Sequence, residues 1–288
     1  MEKAPEAMRR LGLLELLGAR PGLTGVGITD AGNLPIEPGF REDRDRRAKN
    51  RAQIAEFLPR ERDFVARSMA GADDGAALMI LGGDCTAHAG ALAGLRRSRP
   101  DETLAIAWFD AHGDFNTPDT TPSGNVWGMP FAMLLGRGDP DLVAAADGPT
   151  VADEDAALLG GQVLDEAESR LLAASKVAHF GAGMLSTNAG IAALAGWAST
   201  VALRAHGIYI AIDHDVLDGA QGWAVQMPEA NGLSLETATR AVRTLAAAIP
   251  VVGFGATGLN FSGSGDGAST VEAVAALAEA ALGKTGPG

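Results

Sequence analysis

Two short acidic runs hold the side chains most capable of chemistry: Asp110-Ala111-His112-Gly113-Asp114 and Asp213-His214-Asp215. Each follows an apolar stretch of strand formers, residues 104–109 and 207–212, so each is expected where a buried strand ends. Residues two apart on a strand share a face. On that alternation Asp110, His112 and Asp114 point one way, Asp213 and Asp215 do likewise, and His214 turns away as a structural residue. Carboxylates and an imidazole converging at strand ends suit divalent ions of the manganese type. Packed in a core without a cation, such groups would repel one another or stay unpaired.

The elements around these runs must bring them together. Apolar residues at helical spacing predict an amphipathic helix over 4–18. Further helices are predicted over 89–95, 131–135, 235–249 and 271–282. Strands are predicted over 23–29, 76–81, 104–109, 177–181, 207–212 and 251–256. Residues 41–60 read as a charged, solvated segment leading into a helix, 283–288 as a frayed tail, and 139–161 supports no assignment. Helices alternating with short apolar strands predict an α/β fold, three-layer α/β/α with a mainly parallel sheet. Sites in that class lie beyond the carboxyl ends of the strands, where both acidic runs fall. The loop 116–125, rich in Thr, Pro, Ser, Gly and Asn, suits binding better than packing.

The chain has 288 residues, 47% of them hydrophobic, enough for a sizeable core. With no internal repeat and no linker, one domain spanning 1–288 is expected. A net charge of −13 argues against nucleic acid and anionic membrane as partners. The single cysteine, Cys85, excludes an intrachain disulfide. The opening residues lack the apolar run of a leader, and no apolar stretch reaches the roughly 18–20 residues of a membrane span. A cytoplasmic protein is expected. Gly253-Phe254-Gly255 and Gly263-Ser264-Gly265 are glycine-rich, but neither makes a nucleotide-binding GxGxxG before a helix. His179 and His206 read as core, rim or loop residues.

Three separated motifs resemble the arginase, or ureohydrolase, family of manganese-dependent amidinohydrolases. Leu81-Gly82-Gly83-Asp84-Cys85 is similar to that family's GGDH segment, Asp110–Asp114 to its DAHxD segment, and Ile212-Asp213-His214-Asp215 to its DxD segment. Ala4-Pro5-Glu6-Ala7-Met8-Arg9 is similar to its GPxALR segment. The resemblance implies two manganese ions bridged by a hydroxide. Asp110 and Asp213 would bridge both ions. His112 and Asp215 would complete one shell, and Asp114 and Cys85 the other. Asp114 would also orient the hydroxide for attack on a guanidino carbon. Asn116-Thr117-Pro118 and Ser123-Gly124-Asn125 resemble the arginase loop that recognises an α-carboxylate, which implies substrate contacts by Asn116, Ser123 and Asn125. Family members assemble as trimers or hexamers, so the resemblance implies a homo-oligomer.

The chain departs from the family pattern at four places. Cys85 replaces the GGDH histidine, bringing a negative charge where imidazole brings none. If Cys85 does not ligate, one manganese ion is expected instead of two. His88, a turn later, is expected in the core or on a helix surface rather than as a substitute ligand. Trp127 stands where arginases have a proton-shuttling histidine, and is expected either to wall the substrate pocket or to pack. Gly258 falls where the family has a glutamate that holds the cationic guanidinium. The family's first strand is expected to be missing.

An N-hydroxyguanidine is far less basic than a guanidine and needs no such glutamate. Together with Cys85, this resembles the Nω-hydroxyarginine amidinohydrolase branch. The sequence therefore leads to a guanidino-group hydrolase acting on Nω-hydroxy-L-arginine or a related amino acid. A ureohydrolase of another class (arginase, agmatinase, guanidino- or formimino-acid hydrolase) and a non-catalytic metal-binding member stand as alternatives.

Overall fold

The computed structural model describes residues 1–35, 45–73 and 75–283. The expectations for 41–44 and 284–288 lie outside the described residues. Six strands form one sheet: β1 (Leu78–Leu81), β2 (Leu104–Asp110), β3 (Ala156–Gly160), β4 (Ala178–Phe180), β5 (Gly207–Asp213) and β6 (Val251–Thr257). Their order is β1-β6-β5-β2-β3-β4 and every pairing is parallel. Parallel pairing needs crossovers, and helices supply them on both faces.

Alternation along the strands divides the core in two. Ala105, Ala107 and Phe109 of β2 and Ile208, Ile210 and Ile212 of β5 face one layer, which holds the helices Asn188–Val201, Leu235–Ala248 and Gly267–Leu282. Leu104, Ile106 and Trp108, with Tyr209 and Ala211, face the other, which holds Arg51–Ala70, Thr86–Ser98 and Pro130–Leu134. This is the three-layer α/β/α arrangement expected from the sequence.

Several local expectations change. The helix expected over 4–18 is two helices, Ala4–Arg10 and Leu13–Ala19, because Gly12 at φ 85° interrupts it. The strand expected over 23–29 does not form. A short 3₁₀ turn, Pro21–Leu23, leads into residues without regular structure, where Gly22, Gly25 and Gly27 weaken any extended preference. The unassigned stretch 139–161 contains the helix Pro140–Ala145, N-capped by Asp139, and strand β3. β3 reads Ala-Ala-Leu-Leu-Gly and is buried throughout, so it shows neither alternation nor β-branched residues. The last helix begins at Gly267, earlier than expected, because Asp266 accepts a hydrogen bond from Ser269 N at 3.1 Å.

Candidate metal centre

The register of three central strands fixes the site. Asp110 ends β2 and Asp213 ends β5, with Phe109 beside Ile212 and Asp213 beside Thr257 of β6. Asp110, Asp213 and Thr257 continue the alternation of Trp108, Ala211 and Gly255, so all three turn toward the helix Thr86–Ser98. Cys85 immediately precedes that helix. Its loop is fastened to β6 by Gly82 N to Ala256 O, 2.9 Å, and by Gly258 N to Gly83 O, 3.0 Å.

The remaining groups do not converge by strand alternation, which corrects the expectation from sequence. β2 stops at Asp110 and β5 at Asp213. Each terminal carboxylate instead accepts the N–H two residues on: His112 N to Asp110 Oδ1 at 2.7 Å, and Asp215 N to Asp213 Oδ1 at 2.9 Å. These tight turns fold the next side chain back over the strand end. Asp215 also accepts from Ala111 N at 3.1 Å, and Asp114 reaches the cluster with φ 47°.

Two groups of ligand atoms result. Cys85, Asp110 and Asp213 have ligand atoms all within 4.8 Å of one another, and so do Asp110, His112 and Asp215. Cys85 Sγ is 2.8 Å from Asp213 Oδ2 and 4.0 Å from Asp110 Oδ2. His112 Nδ1 is 3.0 Å from Asp215 Oδ2 and 3.4 Å from Asp110 Oδ1. Asp110 is common to both groups. Among the described residues Asp114 belongs to neither, yet its Oδ2 is buried with no hydrogen-bond partner there.

The electrostatics follow from four buried carboxylates and a thiol around one imidazole. Burial, then Asp110 and Asp213, push Asp114 well above the ordinary carboxylate range. Burial, then Asp213 and Asp110, do the same to Asp215. Burial and Asp110 raise Asp213 to about 6, and burial and the surrounding carboxylates raise the Cys85 thiol. Burial works against a charge on His112, but its bonds to Asp110 and Asp215 outweigh that and hold it at about 12. Burial likewise opposes charge on Asp110, whose carboxyl is nonetheless lowered by His112 and by Trp108 Nε1, 3.0 Å away. One proton on His112 is thus the site's own cation, and it is too few for the carboxylates present. The donor set of oxygen, nitrogen and sulfur, with an orphaned Asp114 oxygen, fits divalent cations.

The loop after Asp114 frames one side. Asn116 is buried, donates from Nδ2 to Asp165 Oδ2 at 2.9 Å and accepts from Thr120 Oγ1 at 2.9 Å. Ser123 is exposed, its Oγ accepting from Asn125 N at 3.2 Å. Asn125 Oδ1 accepts from Lys49 Nζ at 3.1 Å, and its amide N–H groups have no acceptor among the described residues. Trp127 is 37% exposed on the turn Val126–Gly128, so it is not core packing. Phe115 N donates to Glu168 at 2.9 Å, and Glu168, raised to about 6 chiefly by burial, ties the loop to the helix Glu166–Ala173.

Further polar residues near the site were not singled out from the sequence. Asp165 and Lys49 touch the loop through Asn116 and Asn125, and Glu229 Oε1 lies 3.5 Å from His112 Nε2. Of these, only Asp165 had a local signal, an N-cap acid before Glu168 at the start of a helix. His88 is not a ligand: it is fully buried and both ring nitrogens are hydrogen-bonded to other residues. His214 is buried too, with neither ring nitrogen partnered among the described residues, and burial lowers it to about 4.

At Gly258, φ is 71°, and a Cβ there would overlap the Asp213 carboxylate. A glutamate at that position would strain the backbone and displace the Asp213 carboxylate. Among the described residues, no helix is long and apolar enough to cross a membrane.

Known proteins share this architecture. The arginase family model matches residues 1–283. The arginase of Bacillus caldovelox is 30% identical over 251 residues, covering 86% of this chain and 81% of that one. A crystal structure of arginase from Bacillus subtilis superposes with a TM-score of 0.85 at 27% identity, covering 98% of this chain and 92% of that one. Formimidoylglutamase from Bacillus subtilis shares the fold, with a TM-score of 0.72 at 20% identity over 97% of this chain and 79% of that one. The chain belongs to the arginase family, and so to the hydrolases that cleave C–N bonds in linear amidines.

Proposed function

We propose that this protein hydrolyses Nω-hydroxy-L-arginine to ornithine and hydroxyurea, with two manganese ions held by Cys85, Asp110, His112, Asp114, Asp213 and Asp215. The observation that carries this reading is Gly258. A protonated guanidinium in a buried site needs a counter-charge, and Gly258 supplies none, while a side chain there would be strained and would displace Asp213. An N-hydroxyguanidine is far less basic than a guanidine, gives up its proton more readily and so depends less on a counter-charge. Cys85 adds to the argument, because a sulfur ligand brings extra negative charge that weakens the ions as Lewis acids. A more easily attacked substrate tolerates that.

When bound, the two cations supply a hydroxide nucleophile at neutral pH. The side chains of this chain do the rest. Asp114, with Oδ2 unpartnered in the cluster, accepts the nucleophile's proton and returns one to the departing amine. The free N–H donors of Asn125 and the Ser123 hydroxyl receive the α-carboxylate, with the Lys49 ammonium 3.1 Å behind Asn125 adding favourable charge. Asp165, beside Asn116, receives the α-ammonium. Neutral donors and a cation next to a carboxylate complement an amino-acid zwitterion, whereas agmatine offers no carboxylate. Exposed Trp127 borders the entrance.

The test offers Nω-hydroxyarginine, arginine, agmatine and other guanidino and formimino acids to the manganese-loaded protein, with urea, hydroxyurea and metal content measured together. Turnover of hydroxyarginine well above arginine is expected. Faster turnover of arginine, or no hydroxyurea with both ions present, refutes the substrate assignment.

A further inference from the structure

A line of buried polar groups runs away from Cys85 beneath the metal centre. Thr257 Oγ1 is 3.4 Å from Cys85 Sγ, His88 Nε2 is 2.9 Å from Thr257 Oγ1, and His88 Nδ1 is 2.9 Å from Tyr209 Oη. All four residues are buried. Strand β6 makes room for them with glycines. A Cβ on Gly255 would come within 2.5 Å of His88 Nδ1, and one on Gly253 within 2.6 Å of the Tyr209 ring. The glycine-rich segment that makes no nucleotide site is thus the wall of this chamber.

The hydrogens along this line can be assigned by elimination. Among the described residues, Tyr209 Oη has one hydrogen-bond partner, His88 Nδ1. A buried phenol O–H without an acceptor is strongly unfavourable, so Tyr209 donates to Nδ1. Burial lowers His88 to about 3, so its ring is neutral and carries one proton. With Nδ1 accepting, that proton sits on Nε2 and is donated to Thr257 Oγ1. The Thr257 hydroxyl then turns its own proton outward, toward Ile212 O at 3.3 Å or Cys85 Sγ at 3.4 Å. An anionic sulfur is the stronger acceptor, since charge-assisted hydrogen bonds are roughly twice as strong as neutral ones.

We propose that Tyr209, His88 and Thr257 form a one-way donor chain ending on Cys85 Sγ, and that this chain positions the sulfur as a metal ligand. The proposal rests on Cys85 being a ligand, as read above. The three residues are positioning residues, acting on the metal only through Cys85, as outer partners orient ligands generally. Donation from Thr257 also draws electron density off the sulfur. It offsets part of the excess negative charge that a cysteine brings to a position where the family's GGDH motif has histidine.

Cobalt(II) is the probe, bound to the metal-free protein. A sulfur ligand gives a near-ultraviolet sulfur-to-cobalt charge-transfer band, which moves to longer wavelength when a hydrogen bond to the sulfur is lost. Thr257→Val should shift the band to longer wavelength, Thr257→Ser should restore it, and Tyr209→Phe should shift it the same way by less. In the unaltered protein, nitrogen NMR should find His88 protonated at Nε2 and bare at Nδ1. A wild-type band that Thr257→Val leaves in place overturns the chain while keeping Cys85 as a ligand. A wild-type protein with no such band overturns both readings. His88 protonated at Nδ1 overturns the chain whether or not the variants fold.

Discussion

Replacing Gly258 by alanine tests the contact on which the substrate reading depends. Gly258 and Gly222 have nearly the same backbone, φ 71° and 75°, but different surroundings. A Cβ at Gly222 would meet nothing within 4 Å, whereas one at Gly258 would overlap the Asp213 carboxylate. A non-glycine residue in the left-handed region costs about 1–2 kcal/mol. For a chain of this size each kcal/mol is worth about 1.5–2 °C in Tm. Gly222→Ala should therefore lower the Tm of the metal-free protein by about 1.5–4 °C and leave metal binding unchanged. Gly258→Ala carries the same backbone cost and must also move Asp213. That carboxylate holds Cys85 Sγ at 2.8 Å and Asp215 N at 2.9 Å, and losing one such bond costs about 0.5–1.5 kcal/mol. It also removes a ligand from the Cys85 group, so manganese affinity should fall by about tenfold or more, equivalent to about 1.4 kcal/mol. Thermal melts and calorimetric manganese titrations on both variants read the two effects separately. Matching Tm losses with wild-type manganese affinity in Gly258→Ala would refute the reasoning.

Three other outcomes follow from the same geometry. If Cys85 ligates as proposed, Cys85→His should raise activity on arginine relative to hydroxyarginine; an unchanged ratio of the two kcat/KM values removes the charge argument. Asp165→Asn keeps a good N-cap but loses the carboxylate proposed to receive the α-ammonium. A hydrogen bond to a charged group is worth about 1.5–3 kcal/mol, so KM should rise about 10–100-fold with kcat little changed; a fall in kcat alone would assign Asp165 elsewhere. Finally, manganese binding should release protons and tighten as pH rises. His112 is held at about 12 against its burial by Asp110 and Asp215, and burial and Asp110 hold Asp213 at about 6, so both must deprotonate to ligate. Titrations in buffers of different ionisation enthalpy count those protons, and a count of zero would contradict the ligand assignment.

The sequence revealed the ligand candidates because metal chemistry restricts residue type and because two of the motifs follow apolar strands. It did not reveal how they meet. Strand alternation placed Asp110 and Asp213 correctly but cannot extend to His112 or Asp215, which lie in turns set by carboxylate-to-backbone hydrogen bonds, nor to Asp114, which lies beyond the strand with φ 47°. The doubly buried β3 escaped because alanines between two helical layers leave no periodic pattern. Lys49 and Glu229 escaped for a different reason. Each reaches the site from a segment remote in sequence, and a single charged residue in a polar stretch has no distinguishing spacing. The meaning of Gly258 was half legible: the missing glutamate could be read from the sequence, whereas the steric pressure against Asp213 required the backbone angle.

Asp110 and Asp213 are the last residues of β2 and β5, two strands paired on both sides in the middle of the sheet, whereas Asn116, Ser123, Asn125 and Trp127 belong to a connection outside the sheet. Backbone amides deep in a sheet exchange with solvent chiefly through global unfolding, and those of irregular connections through small local openings. The two halves of the site therefore sit on opposite ends of the protein's opening-energy scale. Mild denaturant should loosen the grip on substrate while the ions stay bound, so that KM rises before metal is released. An enzyme built this way can remodel its specificity by mutating the loop without endangering its capacity to hold metal.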